Sequence, residues 1–160
     1  MKVKIKKLNP NAVIPSYAHD GDAGMDLTAV SKSEDEYGNI VYGTGLAFEI
    51  PKGCVGLLFP RSSNAKKDLA LSNAVGVLDS TYRGEVTFKF KRQLKIVEKE
   101  ISIDAYSRIV ERDFDEYASY ECGDRIGQII IFPYPTIEFE EVDELSETER
   151  GEGGYGSTGK

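Results

Sequence analysis

Apolar and polar residues alternate at period two along Val3–Leu8 (VKIKKL). Further short apolar runs recur at Gly45–Ile50 (GLAFEI), Cys54–Phe59 (CVGLLF), Glu85–Phe90 (EVTFKF) and Ile126–Phe132 (IGQIIIF). Successive side chains of an extended chain point to opposite faces, so these runs, separated by Gly, Pro or Asn turns, predict short strands. A parallel α/β sheet would need long amphipathic helices between its strands, and the sequence offers none. The pattern therefore predicts an all-β sandwich, barrel or jelly roll.

Two stretches break the extended pattern. Pro60–Lys67 (PRSSNAKK) follows the CVGLLF strand and reads as a short helix capped by Ser62 or Ser63. Lys91–Glu121 is mixed and charged, with DAYSRIVERDFDEYASY near its end, and reads as an inserted helix or hairpin with a solvated face. The acidic SKSEDEYGN stretch, Ser31–Asn39, reads as an exposed hairpin loop and carries no assigned chemistry.

A chain of 160 residues suits one domain with a real core. Its 27 acidic against 20 basic residues give a net charge of −7, which argues against a broad footprint on nucleic acid or anionic membrane. Any polyanion must then be met by a local cationic pocket. MKVKIKK is not followed by a signal-peptide core and no apolar run reaches membrane-span length, so a cytoplasmic protein is expected. Cys54 and Cys122 are isolated, without CxxC spacing, and are expected to be reduced and structural. His19 is the sole histidine, which disfavours a His-based metal site.

The richest chemistry lies in Leu71–Val86 (LSNAVGVLDSTYRGEV), read as two short strands meeting at a turn. Gly76 lets main-chain N–H and C=O groups line a narrow slot that can pair with a flat base. Asp79 at its mouth can take a proton from water, and the Tyr82 ring can pack under a sugar. The same residues also fit an ordinary hairpin with a solvated Asp and an edge Tyr. Arg61, Ser62 and Ser63 make an anion cradle or simply an ordinary capped helix. Asp26, among apolar neighbours in DAGMDLTAV, wants a partner, either an ion pair or turn cap, or a metal-bound water. Gln128 either faces solvent at a strand edge or points into a polar pocket.

Glu138–Glu149 is acidic and reads as a solvated connector to a glycine-rich tail, Arg150–Lys160. The tail contains GxxxxGK from Gly154, but a P-loop must open a helix, and here the chain stops. Arg150, Ser157 and Thr158 can still wrap phosphates and Tyr155 can stack on a base, while a disordered tail is the plain alternative.

Five segments occur in a fixed order: AGMDL from Ala23, PRSSNA from Pro60, NAVGVLDSTYRGE from Asn73, GDRIGQ from Gly123 and RGEGGYGSTG from Arg150. In this the chain resembles the trimeric, all-β deoxyuridine triphosphatase (dUTPase) family. The resemblance implies a jelly-roll-like β barrel spanning residues 1–149, one short helix after the second motif, and a mobile arm, residues 150–160, that closes over a neighbouring subunit's active site. It implies a homotrimer with each site built from three subunits, and hydrolysis of dUTP to dUMP and pyrophosphate. That reaction limits uracil incorporation into DNA and supplies dUMP for dTTP synthesis.

By the same resemblance, Asp79 activates the water that attacks the α-phosphate. The backbone of Asn73, Gly76, Val77 and Leu78 reads uracil, Tyr82 packs on deoxyribose, and Tyr155 stacks over the base. Arg61, Ser62, Ser63, Gln128, Arg150, Gly156, Ser157 and Thr158 surround the phosphates. Asp26 helps to organise, through water, a Mg²⁺ carried mainly by the triphosphate. Ser63 stands where many relatives have glycine and Tyr155 where phenylalanine is common. Residues 91–121 exceed the usual connection, suggesting an added surface for binding another protein. Two rival readings are a dCTP deaminase of the same fold, for which no catalytic glutamate motif is evident, and a nucleotide-gated protein-binding regulator.

Overall fold

The computed structural model describes residues 1–96, 112–114 and 119–154. Its strands are β1 (Lys4–Lys7), β2 (Met25–Thr28), β3 (Ser31–Glu34), β4 (Ile40–Gly43), β5 (Leu46–Glu49) and β6 (Cys54–Pro60), then β7 (Leu69–Leu71), β8 (Gly76–Leu78), β9 (Thr87–Arg92), β10 (Leu94–Ile96), β11 (Arg112–Phe114) and β12 (Arg125–Pro133). Every run with alternating or β-rich patterning contains a strand. The single helix among the described residues is a 3₁₀ turn, Ser62–Lys66.

Two four-stranded sheets, ordered β2-β12-β6-β8 and β3-β4-β9-β7, form the body, and the pairs β1-β5 and β10-β11 complete the pairing. All the pairings are antiparallel. The fold is all-β and jelly-roll-like, as expected, but the sheets remain separate rather than closing into a barrel. Inward residues of both sheets join one core: Leu27, Leu58, Ile126 and Ile129 from the first, Ile40, Tyr42, Phe88 and Phe90 from the second. Burying a ring such as Phe90, which is 0% exposed, stabilises the fold by about 1.5–3 kcal/mol. The sheets approach closely at Gly127, where a Cβ would run into the Phe88 ring.

Three expectations change. Residues 71–86 are not a hairpin: β7 pairs with β9 and β8 with β6, so the segment crosses from one sheet to the other. The crossing uses a left-handed residue, Ala74 at φ 58°, and alternation alone cannot say which strand is a neighbour. The 3₁₀ turn is not capped by Ser62 or Ser63. Arg61 occupies the N-cap with no side-chain capping bond, and both serines are exposed. Cys54 is a buried core residue, but Cys122 is exposed in a turn and fills no core position.

The hairpin expected around Ser31–Asn39 is formed by β3 and β4. The stretch from Lys91 contributes the antiparallel pair β10-β11, and its residues 97–111 and 115–118 lie outside the described residues. Residues 138–149 are exposed throughout and without strand or helix, consistent with a solvated connector. No helix among the described residues is long and apolar enough to cross a membrane.

Candidate active site

β12 is a central strand, with β2 on one side and β6 on the other, and it gathers the first cluster. Gln128 lies opposite Asp26 of β2 and Phe59 of β6. Arg61, immediately after β6, donates from Nε to Oδ1 of Asp26 at 2.9 Å, and Arg125 donates from Nη1 to Oδ2 at 3.1 Å. The partner that an acid in an apolar stretch required is thus a pair of guanidinium groups. Arg61 also reaches Ser63 Oγ through Nη1 at 3.4 Å. Gln128 donates to the Pro60 carbonyl at 3.3 Å, and a Cβ on Gly24 would collide with its Oε1. Of the two readings of Gln128, the polar pocket is the one observed: it lines a cleft of about 310 Å³ with Asp22, Gly24 and Asp26.

The second cluster lies on β8. This strand is at the edge of its sheet, so one row of its backbone N–H and C=O groups has no strand partner among the described residues. Val77 is 61% exposed, whereas Leu78 is buried and Gly76 packs so closely on Leu58 that a Cβ would lie 3.0 Å from Leu58 Cβ. Gly76 is therefore needed for packing. Directly after β8 comes an exposed turn in which the Tyr82 N–H donates to the Asp79 carbonyl at 3.0 Å. Arg83 steadies it from Nη1, donating to the carbonyls of Ser80 (2.7 Å) and Tyr82 (2.8 Å). The Tyr82 hydroxyl donates to the Glu85 carbonyl at 3.0 Å, and a Cβ on Gly84 would strike this ring. The turn leaves the Asp79 carboxylate at the end of an open strand edge.

Within one chain the two clusters do not meet. Leu78 is in register with Gly56, which sets Asp79 beside Val55, at the opposite end of β6 from Arg61. At about 3.3 Å per residue the six intervening steps separate Asp79 from Arg61 by roughly 20 Å along the strand. Asn73, exposed and carrying the carbonyl that accepts from Val75 N–H, starts the same segment nearer the Arg61 end.

Arg150 donates from Nε to the Gly153 carbonyl at 2.8 Å and stands exposed. Tyr155, Gly156, Ser157 and Thr158 lie outside the described residues. Among the described residues no three His, Cys, Asp or Glu side chains cluster as a metal cage. Each Asp26 oxygen accepts one guanidinium bond and keeps a lone pair for water, which fits an indirect role toward a cation held elsewhere.

Sequence reasoning passed over Arg125, although it lies within GDRIGQ and Asp26 needed a cation. It also passed over Tyr120 and Asn64, whose hydroxyl-to-amide bond of 3.0 Å holds the 3₁₀ turn from behind. Tyr120 belongs to none of the five segments, so no local signal marked it.

The antiparallel all-β fold thus gathers two arginines and an amide at one strand end and sets an acid at the open edge of another. The dUTPase family model matches residues 10–111 and 115–159, and the chain belongs to that family. A deoxyuridine 5'-triphosphate nucleotidohydrolase of Corynebacterium glutamicum is 38% identical over 160 residues, covering 99% of this chain and 95% of the relative. Among solved structures, a mutant dUTPase of Staphylococcus bacteriophage 80alpha with dUpNHpp superposes with a TM-score of 0.74 at 32% identity, covering 99% of both chains. A mutant dUTPase from phage phi11 of S. aureus, described for its coordination of a structural Mg(II) ion, gives 0.66 at 26% identity, covering 91% of this chain and 99% of that one.

Proposed function

We propose that this dUTPase-family enzyme hydrolyses dUTP to dUMP and pyrophosphate, and that Asp79 is its base. The observation that carries this is the unpaired edge of β8 running straight into an exposed acid. A strand edge offers the alternating donors and acceptors that a uracil ring requires, and a carboxylate one residue on is placed to reach the phosphate side of the same nucleotide. Tyr82 supports the sugar. Asp79 takes the proton of a water whose oxygen bonds to the α-phosphorus as the bond to the bridging oxygen breaks, and pyrophosphate leaves.

Arg61, Ser62, Ser63 and Gln128 hold the phosphates, with Asp26 fixing the Arg61 fork. Positioning and charge stabilisation do most of the work. When bound, Mg²⁺ supplies charge neutralisation on the triphosphate, with Asp26 reaching it through water. The arm, residues 150–160, contributes Arg150, Gly156, Ser157 and Thr158 to the phosphates and Tyr155 to the base, beyond the 1–149 body.

The separation of Asp79 from Arg61 supports a site shared between copies of the chain, in keeping with a homotrimer. No nucleic-acid or membrane partner is proposed, and the enzyme is assigned to the cytoplasm. The test is a Mg²⁺-dependent panel of dUTP, UTP, dTTP and dCTP, assayed for pyrophosphate and ammonia, with Asp79→Asn as control. Pyrophosphate from dUTP alone, abolished in the variant, is expected. Ammonia from dCTP would move the chain to the deaminase reading, and binding of dUTP without turnover would favour the nucleotide-gated regulator.

A further inference from the structure

Asn64 is the pivot of the turn that carries Arg61, Ser62 and Ser63. Its N–H donates to the Arg61 carbonyl at 2.9 Å, and its own carbonyl accepts the Lys67 N–H at 2.9 Å. Its side chain points inward, donating from Nδ2 to the Leu69 carbonyl at 2.7 Å and accepting the Tyr120 hydroxyl on Oδ1 at 3.0 Å. The outward side of the turn is held through Arg61, which bonds Asp26 from Nε at 2.9 Å, while the N-cap has no side-chain capping bond and both serines are exposed. Ser62 and Ser63 are therefore placed from behind, through Asn64, as well as through the anchored Arg61.

Tyr120 is itself rigidly held. It is 2% exposed, its N–H donates to the Tyr42 hydroxyl at 2.8 Å, and its ring lies 5.9 Å from Tyr42 and 5.6 Å from Phe90. Lys67 sits 4.7 Å above the ring centroid and donates to the Ser119 carbonyl at 2.9 Å. Burial pushes the Tyr120 hydroxyl above its ordinary pKa, so it remains a donor across neutral pH. Such a buried, satisfied network fixes geometry more than it adds net stability.

We propose that Tyr120 is a positioning residue for phosphate binding: through Asn64 it fixes where Arg61, Ser62 and Ser63 stand against the triphosphate. This rests on the functional reading above. Tyr120→Phe keeps the ring and removes only the hydroxyl, leaving Asn64 Oδ1 buried without its donor. Affinities for dUMP, dUDP and the non-hydrolysable analogue dUpNHpp are then compared with wild type. The expected result is a loss that grows with the number of phosphates, from under twofold for dUMP to about tenfold for the analogue.

A double-mutant cycle with Ser62→Ala supplies the readout that a merely structural role would not move. Coupling through the turn makes the two losses non-additive, whereas general loosening leaves them additive. An equal loss for all three nucleotides, additive effects or an unchanged analogue affinity would each overturn the proposal. Should Tyr120→Phe fail to fold, Lys67→Met, which removes the cation over the ring, must show a smaller loss of the same gradation or the proposal falls. Wild-type protein that binds none of the three nucleotides would remove the functional reading and this inference with it.

Discussion

Arg61 is locked onto Asp26 by a 2.9 Å bond from Nε to Oδ1, while its Nη1 reaches Ser63 Oγ at 3.4 Å. Both residues are partly buried, so this pair is screened less than a surface ion pair. Arg61→Lys keeps the charge and loses the fork. A drop of about 10- to 100-fold in kcat/KM for dUTP is expected, corresponding to a charged hydrogen bond of about 1.5–3 kcal/mol. Arg125→Ala, whose side chain is more exposed, should cost less. Equal losses in steady-state kinetics would mean that the anchoring of Arg61 by Asp26 has no special importance.

Asp79 and Arg61 sit at opposite ends of β6, so the proposed site draws its two halves from different copies. Asp79→Asn and Arg61→Ala proteins should each be nearly inactive, yet unfolding and refolding them together at equal amounts should restore activity. Random assortment gives about a quarter of the sites both intact residues when the two come from different subunits. No recovery from the mixture, with mixed oligomers confirmed by mass, would place the whole site within one chain.

The strands were legible because half-buried antiparallel strands write their faces into the sequence: Phe88 and Phe90 are buried while Thr87 and Lys89 are exposed. Which strand neighbours which was not legible. β7 and β8, close in sequence, separate into different sheets because the left-handed Ala74 redirects the chain, and nothing about an alanine announces a positive φ. Asp26, Arg61 and Gln128 could be named from their segments, but the Tyr120 bond to Asn64 spans 56 positions and leaves no periodic trace. The serine cap failed for a related reason: the turn begins one residue earlier than the hydroxyl pattern suggests.

Two glycines outside any left-handed turn should resist substitution by alanine, to different degrees. At Gly76 a Cβ would press on the Leu58 side chain, with contacts of 3.0 to 3.3 Å, and overpacking of about 1–3 kcal/mol is expected. At Gly127 it would meet the buried Phe88 ring and the Phe59 carbonyl oxygen at 2.9 Å, neither of which can yield easily. Gly127→Ala should therefore lower the thermal midpoint more than Gly76→Ala. The reverse order would show that the sheets can separate locally at little cost.

Asp35 predicts how stability responds to acid. The Asn39 side chain donates to both of its carboxylate oxygens at 3.0 Å, the Asn39 and Tyr37 N–H groups donate at 2.9 and 3.0 Å, and Lys89 lies 3.0 Å away. Those bonds, led by the Asn39 amide, hold the carboxyl far below its ordinary value of 3.8. A folded pKa below the unfolded one stabilises the protein fully above the unfolded value, and that contribution is lost as pH falls through the unfolded pKa toward the folded one. Asn39 in turn accepts the Ser72 hydroxyl at 2.8 Å, so the same carboxylate steadies the residue just before Asn73. Asp35→Asn should be less stable than wild type at pH 7, and the difference between their urea midpoints should shrink from about pH 4 downward. A difference that stays constant from pH 7 to pH 3 would show that the Asp35 charge contributes nothing and that only its shape matters.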